Sequence, residues 1–279
     1  MKRIAVILTS YNRCTKTLNC LSKLYEQLLP VDYVLDAYLV IDGSTDQTEE
    51  SVIDRFPQVH IIKGDGTLFW NRGMHLAWDV ASKSDKYNFT LWLNDDTELI
   101  LGALSLLIRI AESKSNKAII VGATCSYKDE QLTTYGGRKN NRGYTLIDVN
   151  GEIQECETFN GNCVLIPQVY FTTLGNLDYY FRHSFGDIEY GLRATASDIA
   201  IFIAPKHIGY CERNEGVPAF LSPRLSLVKR LKSLYSPLGF NPLEAFYLSR
   251  KYQSLGFAII RFIKIHLNSI FPTFFYKRR

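Results

Sequence analysis

The stretch Ile4-Ala5-Val6-Ile7-Leu8 constrains the fold of this chain more than any other feature. An unbroken apolar run with branched side chains cannot alternate between a wet and a dry face. It fits a strand buried on both sides, as in parallel sheets covered by helices. The run ends in polar Thr9-Ser10-Tyr11-Asn12-Arg13, and Leu18, Leu21, Leu24 and Leu28 then recur at helical spacing up to Pro30. Tyr38 to Ile41 is a second strand, so the chain opens as β-loop-α-β. That strand runs into Asp42-Gly43-Ser44-Thr45-Asp46, and Gln47 to Phe56 reads as a helix capped by a side-chain oxygen of this loop. Val59 to Ile62 is a third strand. In open α/β sheets ligands bind beyond the carboxyl ends of the strands, which assigns both polar loops to one crevice.

The same patterns continue. Asn71 to Ser82 is helical, Phe89 to Leu93 is a strand ending at Asn94-Asp95-Asp96, Leu99 to Ser113 is helical, and Ala118 to Ala123 is a strand. Between Tyr127 and Glu157, with Gly136-Gly137 and Asn150-Gly151, the pattern weakens to hairpins and loops. Cys163 to Ile166 returns to the sheet, Asp187 to Ala196 is helical, Ile199 to Ile203 is a strand, and a helical tail starts near Pro223. The expected division is a doubly wound α/β domain over residues 1–222 and a helical extension over 223–279.

Among 279 residues, 46% are hydrophobic and 22% charged, a balance that excludes disordered, collagen-like and coiled-coil classes. The absence of a repeat excludes solenoids and propellers. The net charge of +4 hides a division: from Arg224 onward there are eleven Lys and Arg against one acid, Glu244, whereas residues 1–223 hold 21 basic and 27 acidic side chains. An acidic body with a basic tail suggests an anionic surface as partner. The six cysteines show neither C-x-x-C nor zinc-site spacing, so reduced thiols are expected. No cleavage site follows the short apolar start, and Arg261 and Lys264 interrupt the longest apolar stretch near the C-terminus. The expectation is a cytoplasmic protein without a spanning helix, peripheral on the cytoplasmic face of the membrane.

Several positions can carry chemistry. Asp95 and Asp96 sit at a strand end, where a hard divalent ion would offset the cost of burying two carboxylates and would complete its shell with phosphate oxygens; the alternative is a solvated turn. Asp42 can accept from a ribose hydroxyl or a base N–H, while Asp46 caps the next helix. Asp187 and Glu189 open a helix, where the macrodipole favours carboxylates, and only one of the two can face a ligand. His207 can reach a metal or a phosphate, though an isolated His is more often structural. Gly64 to Gly73, with Gly66, Arg72 and the apolar triplet Leu68-Phe69-Trp70, can close over a diphosphate but matches neither the P-loop nor G-x-G-x-x-G.

In order, the first strand with Thr9 to Arg13, then Val40 to Asp46, Leu93 to Thr97 and Phe185 to Ala194 resemble the family 2 glycosyltransferases, inverting enzymes of the GT-A fold. The likeness spans roughly residues 3–215, and the loop from Gly64 to Gly73 resembles that of bacterial rhamnosyltransferase-like, capsule and O-antigen members. The resemblance implies a nucleotide-sugar pocket of Thr9, Tyr11, Arg13, Asp42, Gly66, Arg72, Asn94 and Asp95. It also implies a Mn²⁺ or Mg²⁺ ion on Asp96, joined by His207, and Asp187 as the general base. Ile41 and Asn94 stand where the family often has acids, and Gly186 precedes Asp187 where the family usually has Glu.

The implied partners are a UDP- or dTDP-linked sugar donor and a glycan or lipid-linked acceptor in surface polysaccharide synthesis. For the tail, a helical reading puts Leu248, Tyr252, Leu255, Ile259, Phe262 and His266 on one side and Lys251, Ser254, Arg261 and Lys264 on another, with Phe271, Phe274, Phe275, Tyr276 and Lys277 to Arg279 as further anchors. Such a helix lies in a headgroup plane; the alternative is packing on the catalytic domain or in a homodimer. A sugar nucleotidyltransferase is disfavoured because its Gly-rich signature after the first strand is missing. A non-catalytic nucleotide- or carbohydrate-binding scaffold is disfavoured by Asp96 and Asp187. No nucleic-acid platform or helix-turn-helix pattern is present.

Overall fold

The computed structural model describes residues 1–141, 143–213 and 216–272. It divides into two units: residues 1–179 with 187–213, and residues 180–186 with 214–279.

The first unit is built on a mixed sheet. Its strands are β1 (Lys2–Ser10), β2 (Tyr33–Asp42), β3 (His60–Gly64), β4 (Phe89–Leu93), β5 (Glu98–Leu99), β6 (Ala118–Cys125), β7 (Thr133–Tyr135), β8 (Gly137–Arg138), β9 (Gln154–Glu155), β10 (Thr158–Phe159), β11 (Cys163–Pro167) and β12 (Ala200–Tyr210). Along the main sheet the order is β3-β2-β1-β4-β11-β6-β12-β5, with β7 on β6, β9 on β12, and a separate β8-β10 pair. The pairings of β1 with β2 and β4, β2 with β3, and β6 with β12 are parallel. The inserted β11 runs antiparallel to both neighbours.

Helices α1 (Cys14–Tyr25), α2 (Thr48–Arg55), α3 (Phe69–Ser84), α4 (Ala103–Ser113), α5 (Val169–Leu174) and α6 (Gly186–Ala196) accompany the strands. Alternate residues of β1 feed separate cores. Ile4, Val6 and Leu8 join Leu18, Leu21 and Leu24 of α1, whereas Ala5 and Ile7 join Met74, Ala77 and Trp78 of α3. Each buried Val, Leu, Ile or Met side chain among these contributes roughly 1.5–3 kcal/mol. The continuous apolar run therefore marks a strand covered on both sides.

Several elements differ from the expectations. Helix α1 stops at Tyr25, and Leu28 is exposed, because the chain turns towards Pro30. Leu99 lies in β5, and α4 starts only after Gly102, whose φ of +83° suits a residue without Cβ. Helix α5 carries no clear periodic signal. Strand β12 does not end near Ile203 but continues through Pro205 to Tyr210, with its register shifting between Ile203 and His207 and again before Gly209. A proline inside a strand is accommodated at such irregularities, where the ladder loses a bond anyway.

The second unit holds a 3₁₀ turn (Ala219–Leu221) and helices α7 (Leu227–Tyr235), α8 (Pro242–Tyr252) and α9 (Leu255–Ile270). The single long helix expected across Leu248 to His266 is two helices. Gln253 leaves helical geometry, and the Ser254 side chain caps α9 by accepting from Phe257 N. Leu248 is consequently buried, Phe262 packs on Phe246 at 6.1 Å, and Arg261 turns inward to Ser249 and the Phe185 and Phe240 rings. The exposed apolar residues of α9 are instead Leu255, Ile259, Ile260, Ile263 and Leu267, followed by Phe271. The anchors named at 274–276 and the charges at 277–279 lie outside the described residues. Among the described residues no helix is long and apolar enough to cross a membrane.

Candidate active site

The parallel strands β1, β2 and β4 deliver their carboxyl ends to one edge, and short-range polar contacts join the loops that follow. Asn12, with φ +51°, ties the first two: its Oδ1 accepts from Thr45 N at 2.7 Å and Asp46 N at 3.3 Å, while its amide donates to Ser44 Oγ at 3.0 Å. Asp46 bridges likewise, accepting from Cys14 N at 3.1 Å and from Thr48 N at 3.2 Å, which supplies the expected cap to α2. Thr9 is buried at the end of β1, and Tyr11 is exposed at the mouth of the crevice.

Asp42, only 4% exposed, spends its carboxylate on the loop after β3. Oδ1 accepts from Gly66 N at 2.8 Å, and Oδ2 accepts from Leu68 N at 3.0 Å and Phe69 N at 2.9 Å. A Cβ on Gly43 would come within 2.8 Å of Gly66, so the two loops touch backbone to backbone. Asp42 thus organises the Gly64–Trp70 loop, a role that strand-end position alone does not reveal. Arg72 faces elsewhere than expected. Its Nε donates to Tyr179 O at 3.1 Å and its guanidinium lies 4.5 Å over the Tyr179 ring.

The acids after β4 form an ion-pair cluster with the start of α1. Arg13 donates to Asp95 Oδ1 at 3.0 Å and Asp96 Oδ2 at 3.1 Å, and Lys16 Nζ lies 3.6 Å from Asp96 Oδ2. Asp95 is buried against Thr17, and burial pushes its carboxyl up to about 6 against the opposing pull of Arg13. Asp96 is more open, and its Oδ1 meets the Cys211 thiol at 3.6 Å. Burial pushes that thiol up to about 12, so it is a neutral donor.

His207 does not stand at this cluster. It pairs in register with Ala123, and its Nε2 meets Thr133 Oγ1 at 3.0 Å. The residue that β12 leads to Asp96 is Cys211, which four residues of extended chain, about 13 Å, separate from His207. Among the described residues no group of three His, Cys, Asp or Glu side chains could hold an ion. A hard divalent ion needs only one or two carboxylates when phosphate oxygens and water fill its shell. Asp96, partly open and already drawing cations, fits that shared arrangement; a cage made of protein ligands alone does not fit.

Asp187, half-buried at the start of α6, joins the site through residues 160–162. Its Oδ2 accepts from Gly161 N at 3.1 Å and its Oδ1 from Ile188 N at 2.8 Å. The next residue, Asn162, accepts from Asn94 N at 2.9 Å through its carbonyl. Asp187 is therefore linked to the acidic strand end through two adjacent residues. Burial raises its carboxyl above the ordinary range, while the Gly161 and Ile188 amides and the Arg138 charge pull the other way. Glu189 is fully buried and paired with Arg193 at 2.7 Å, so of the two acids Asp187 alone faces the site.

Trp70 closes the circuit: its Nε1 donates to Asn94 Oδ1 at 2.7 Å, and its ring packs beside Gly161. Asn12, Lys16, Trp70, Arg138, Gly161 and Cys211 carried no individual role on sequence grounds. Their partners lie in other loops, at separations that no local pattern encodes.

Residues 5–174 match the family model described as glycosyl transferase family 2. No curated protein sequence matches significantly. Among solved structures, S. aureus TarS (residues 1–349, in complex with UDP-GlcNAc) is similar with a TM-score of 0.60 at 13% identity, over 96% of this chain and 90% of that one. The mannosyltransferase PcManGT from Pyrobaculum calidifontis, in complex with GDP-Man and Mn²⁺, is similar with a TM-score of 0.57 at 14% identity, over 94% and 73%. At such identities the likeness establishes the fold, which is GT-A.

Proposed function

The chain belongs to glycosyl transferase family 2, and from that membership we propose that it is an inverting, metal-assisted transferase of a nucleotide-linked sugar. The donor would be a UDP- or dTDP-sugar, and the acceptor a hydroxyl of a glycan or lipid-linked saccharide in surface polysaccharide synthesis. The observation that carries this reading is the convergence of Asp187 with Asn94, Asp95 and Asp96 across residues 160–162. The nucleotide sugars held by TarS and PcManGT support the donor class, and the Mn²⁺ in PcManGT supports the metal.

The chemistry is one displacement. The acceptor oxygen forms a bond to the anomeric carbon, the bond from that carbon to the diphosphate breaks, and the acceptor proton passes to Asp187. Attack opposite the leaving group inverts configuration. Asp187 suits the base role because burial holds its proton affinity above that of a free carboxylate. A divalent ion at Asp96 would stabilise charge on the departing diphosphate as a Lewis acid. Arg13 and Lys16 bring fixed positive charge to the same place. Asp42 would serve the nucleotide indirectly, by holding the Gly64–Trp70 loop, with lone-pair capacity left for a base N–H.

Titration calorimetry with UDP-, dTDP- and GDP-sugars, with and without Mn²⁺, tests the reading. Binding of one uridine or thymidine donor that tightens with Mn²⁺ and is accompanied by slow release of the nucleoside diphosphate is expected. Binding without any turnover would favour a scaffold.

The exposed apolar side of α9 and the basic balance after Arg224 support docking on the inner, anionic face of the cell membrane, where a lipid-linked acceptor would reside. The full-length protein should sediment with phosphatidylglycerol vesicles and lose that binding in an Ile259→Glu, Ile263→Glu variant. Equal sedimentation of the two proteins would refute it.

A further inference from the structure

Trp70 reaches both acidic centres of the site. The indole N–H, bonded to Asn94 Oδ1 at 2.7 Å, fixes one edge of the ring at the strand end that carries Asp95 and Asp96. The same long edge of the ring continues through Cζ2 and Cη2 to Gly161: a Cβ on that glycine would sit 2.7 Å from both atoms, and 3.3 Å from Asp187 Cβ. The same glycine donates its amide to Asp187 Oδ2. Beneath, Trp92 meets the ring edge to face at 6.3 Å and 77°. An indole held on these sides has one orientation, yet Trp70 is only half-buried. A rigid, partly open aromatic surface therefore borders the carboxylate that would receive the acceptor's proton.

A half-exposed aromatic ring beside polar groups suits a ligand with an apolar side and a polar rim. A pyranose ring has that shape, because its C–H bonds can cover the indole while its hydroxyls project to the edges. Asp187 would then find one of those hydroxyls within hydrogen-bonding reach. The diphosphate belongs at the other end, with Asp96, Arg13 and Lys16. The edge of Trp70 nearest the base is thus on the acceptor's side. A bare lipid phosphate or a flexible alkyl alcohol offers no such face.

Resting on the transferase reading above, we infer that Trp70 is the stacking platform for a pyranose ring of the acceptor, so that the group glycosylated is a sugar hydroxyl.

Saturation-transfer NMR tests this without requiring turnover. The protein, saturated with Mn²⁺ and with UDP or dTDP, whichever binds, is titrated with octyl glucoside, galactoside, rhamnoside and N-acetylglucosaminide, each below its micelle concentration, with octyl phosphate as control. At least one pyranoside should receive saturation mainly on the C–H protons of one ring face, and octyl phosphate should not. Trp70→Ala should weaken that pyranoside about tenfold, the upper range for an aromatic contact. Trp70→Phe, which keeps a ring, should recover most of the loss, and UDP affinity by calorimetry should stay within about twofold in both. Undiminished pyranoside binding by Trp70→Ala overturns the inference, as does weakened UDP binding with pyranoside binding intact. If UDP binds and no pyranoside does, the inference fails and the transferase reading stands. If neither UDP nor dTDP binds, the transferase reading fails first.

Discussion

Asp187→Asn is expected to cut sugar transfer by about 10²–10⁴-fold, the usual worth of a positioned general base, while leaving UDP affinity unchanged. Asparagine keeps the shape, and its one oxygen can still accept from the Gly161 amide while its NH₂ faces the Ile188 amide, so the segment that links residue 187 to Asn94 should remain in place. Loss of rate then reports loss of proton acceptance. Two effects on the variant's stability oppose each other, one of them the lost acceptor of the Ile188 amide. Burial raises the Asp187 carboxyl, so the folded state binds its proton more tightly than the unfolded state does. Stability from this group is full below the unfolded pKa and is lost as pH rises through the folded pKa; at neutral pH the ionised side chain is a cost. Relief of that cost offsets the lost Ile188 hydrogen bond, so the melting temperature of Asp187→Asn at neutral pH should stay close to that of the parent.

The same shift sets a pH dependence of the parent enzyme. Transfer requires ionised Asp187, so the rate should fall on acidification through a pKa above the ordinary carboxylate range. Arg138 opposes the shift from a position where it bonds Asn160 Oδ1 at 2.7 Å. Arg138→Gln should move the acid limb to higher pH. An unmoved limb, or parallel collapse of UDP binding and rate in Asp187→Asn, would remove the residue from the base role.

What the sequence makes legible follows from the range over which each signal acts. Strands β1, β2, β4 and β6 announce themselves because burial on both faces needs only consecutive apolar residues, and the acids at their ends follow from the topology. Helix α6 was likewise legible, and Glu189 could be set apart from Asp187 by helical spacing alone. The failures lie where tertiary register overrides residue type. His207 is the better metal ligand by chemistry, but the bulges around Pro205 bring Cys211, not His207, to Asp96. Arg72 has the right charge for a diphosphate, yet its helical position aims it at Tyr179. Trp70 reads as one of three apolar residues, since Asn94 and Gly161, which give it meaning, are 24 and 91 positions away in the chain. The break at Gln253–Ser254 separates α8 from α9 and changes which apolar residues of the tail face outward, because an amphipathic pattern fixes a face only within one unbroken helix.

Asp42→Ala is expected to have the second large effect, through a loop that the carboxylate holds in place. Three backbone amides, those of Gly66, Leu68 and Phe69, lose their acceptor at once. Each hydrogen bond to a charged group is worth about 1.5–3 kcal/mol, though water can reach the exposed Gly66 and restore part of it. The formed loop also keeps Gly66 at φ +85° and Phe69 at φ +55°, the latter a conformation a phenylalanine rarely adopts unaided. A net loss of about 3 kcal/mol lowers the equilibrium constant for the formed loop about a hundredfold, and donor affinity falls by up to that factor. Asp42→Asn separates this account from a direct charge contact with the nucleotide. Its amide oxygen can still serve Leu68 and Phe69 while its NH₂ opposes only the Gly66 amide, so its loss should be intermediate, about tenfold. Protection of the Leu68 and Phe69 amides against hydrogen exchange should follow the same order, parent above Asn above Ala. Donor affinity that drops equally in both variants while those amides stay protected in Asp42→Asn would show that Asp42 acts on the nucleotide itself, and not through the loop.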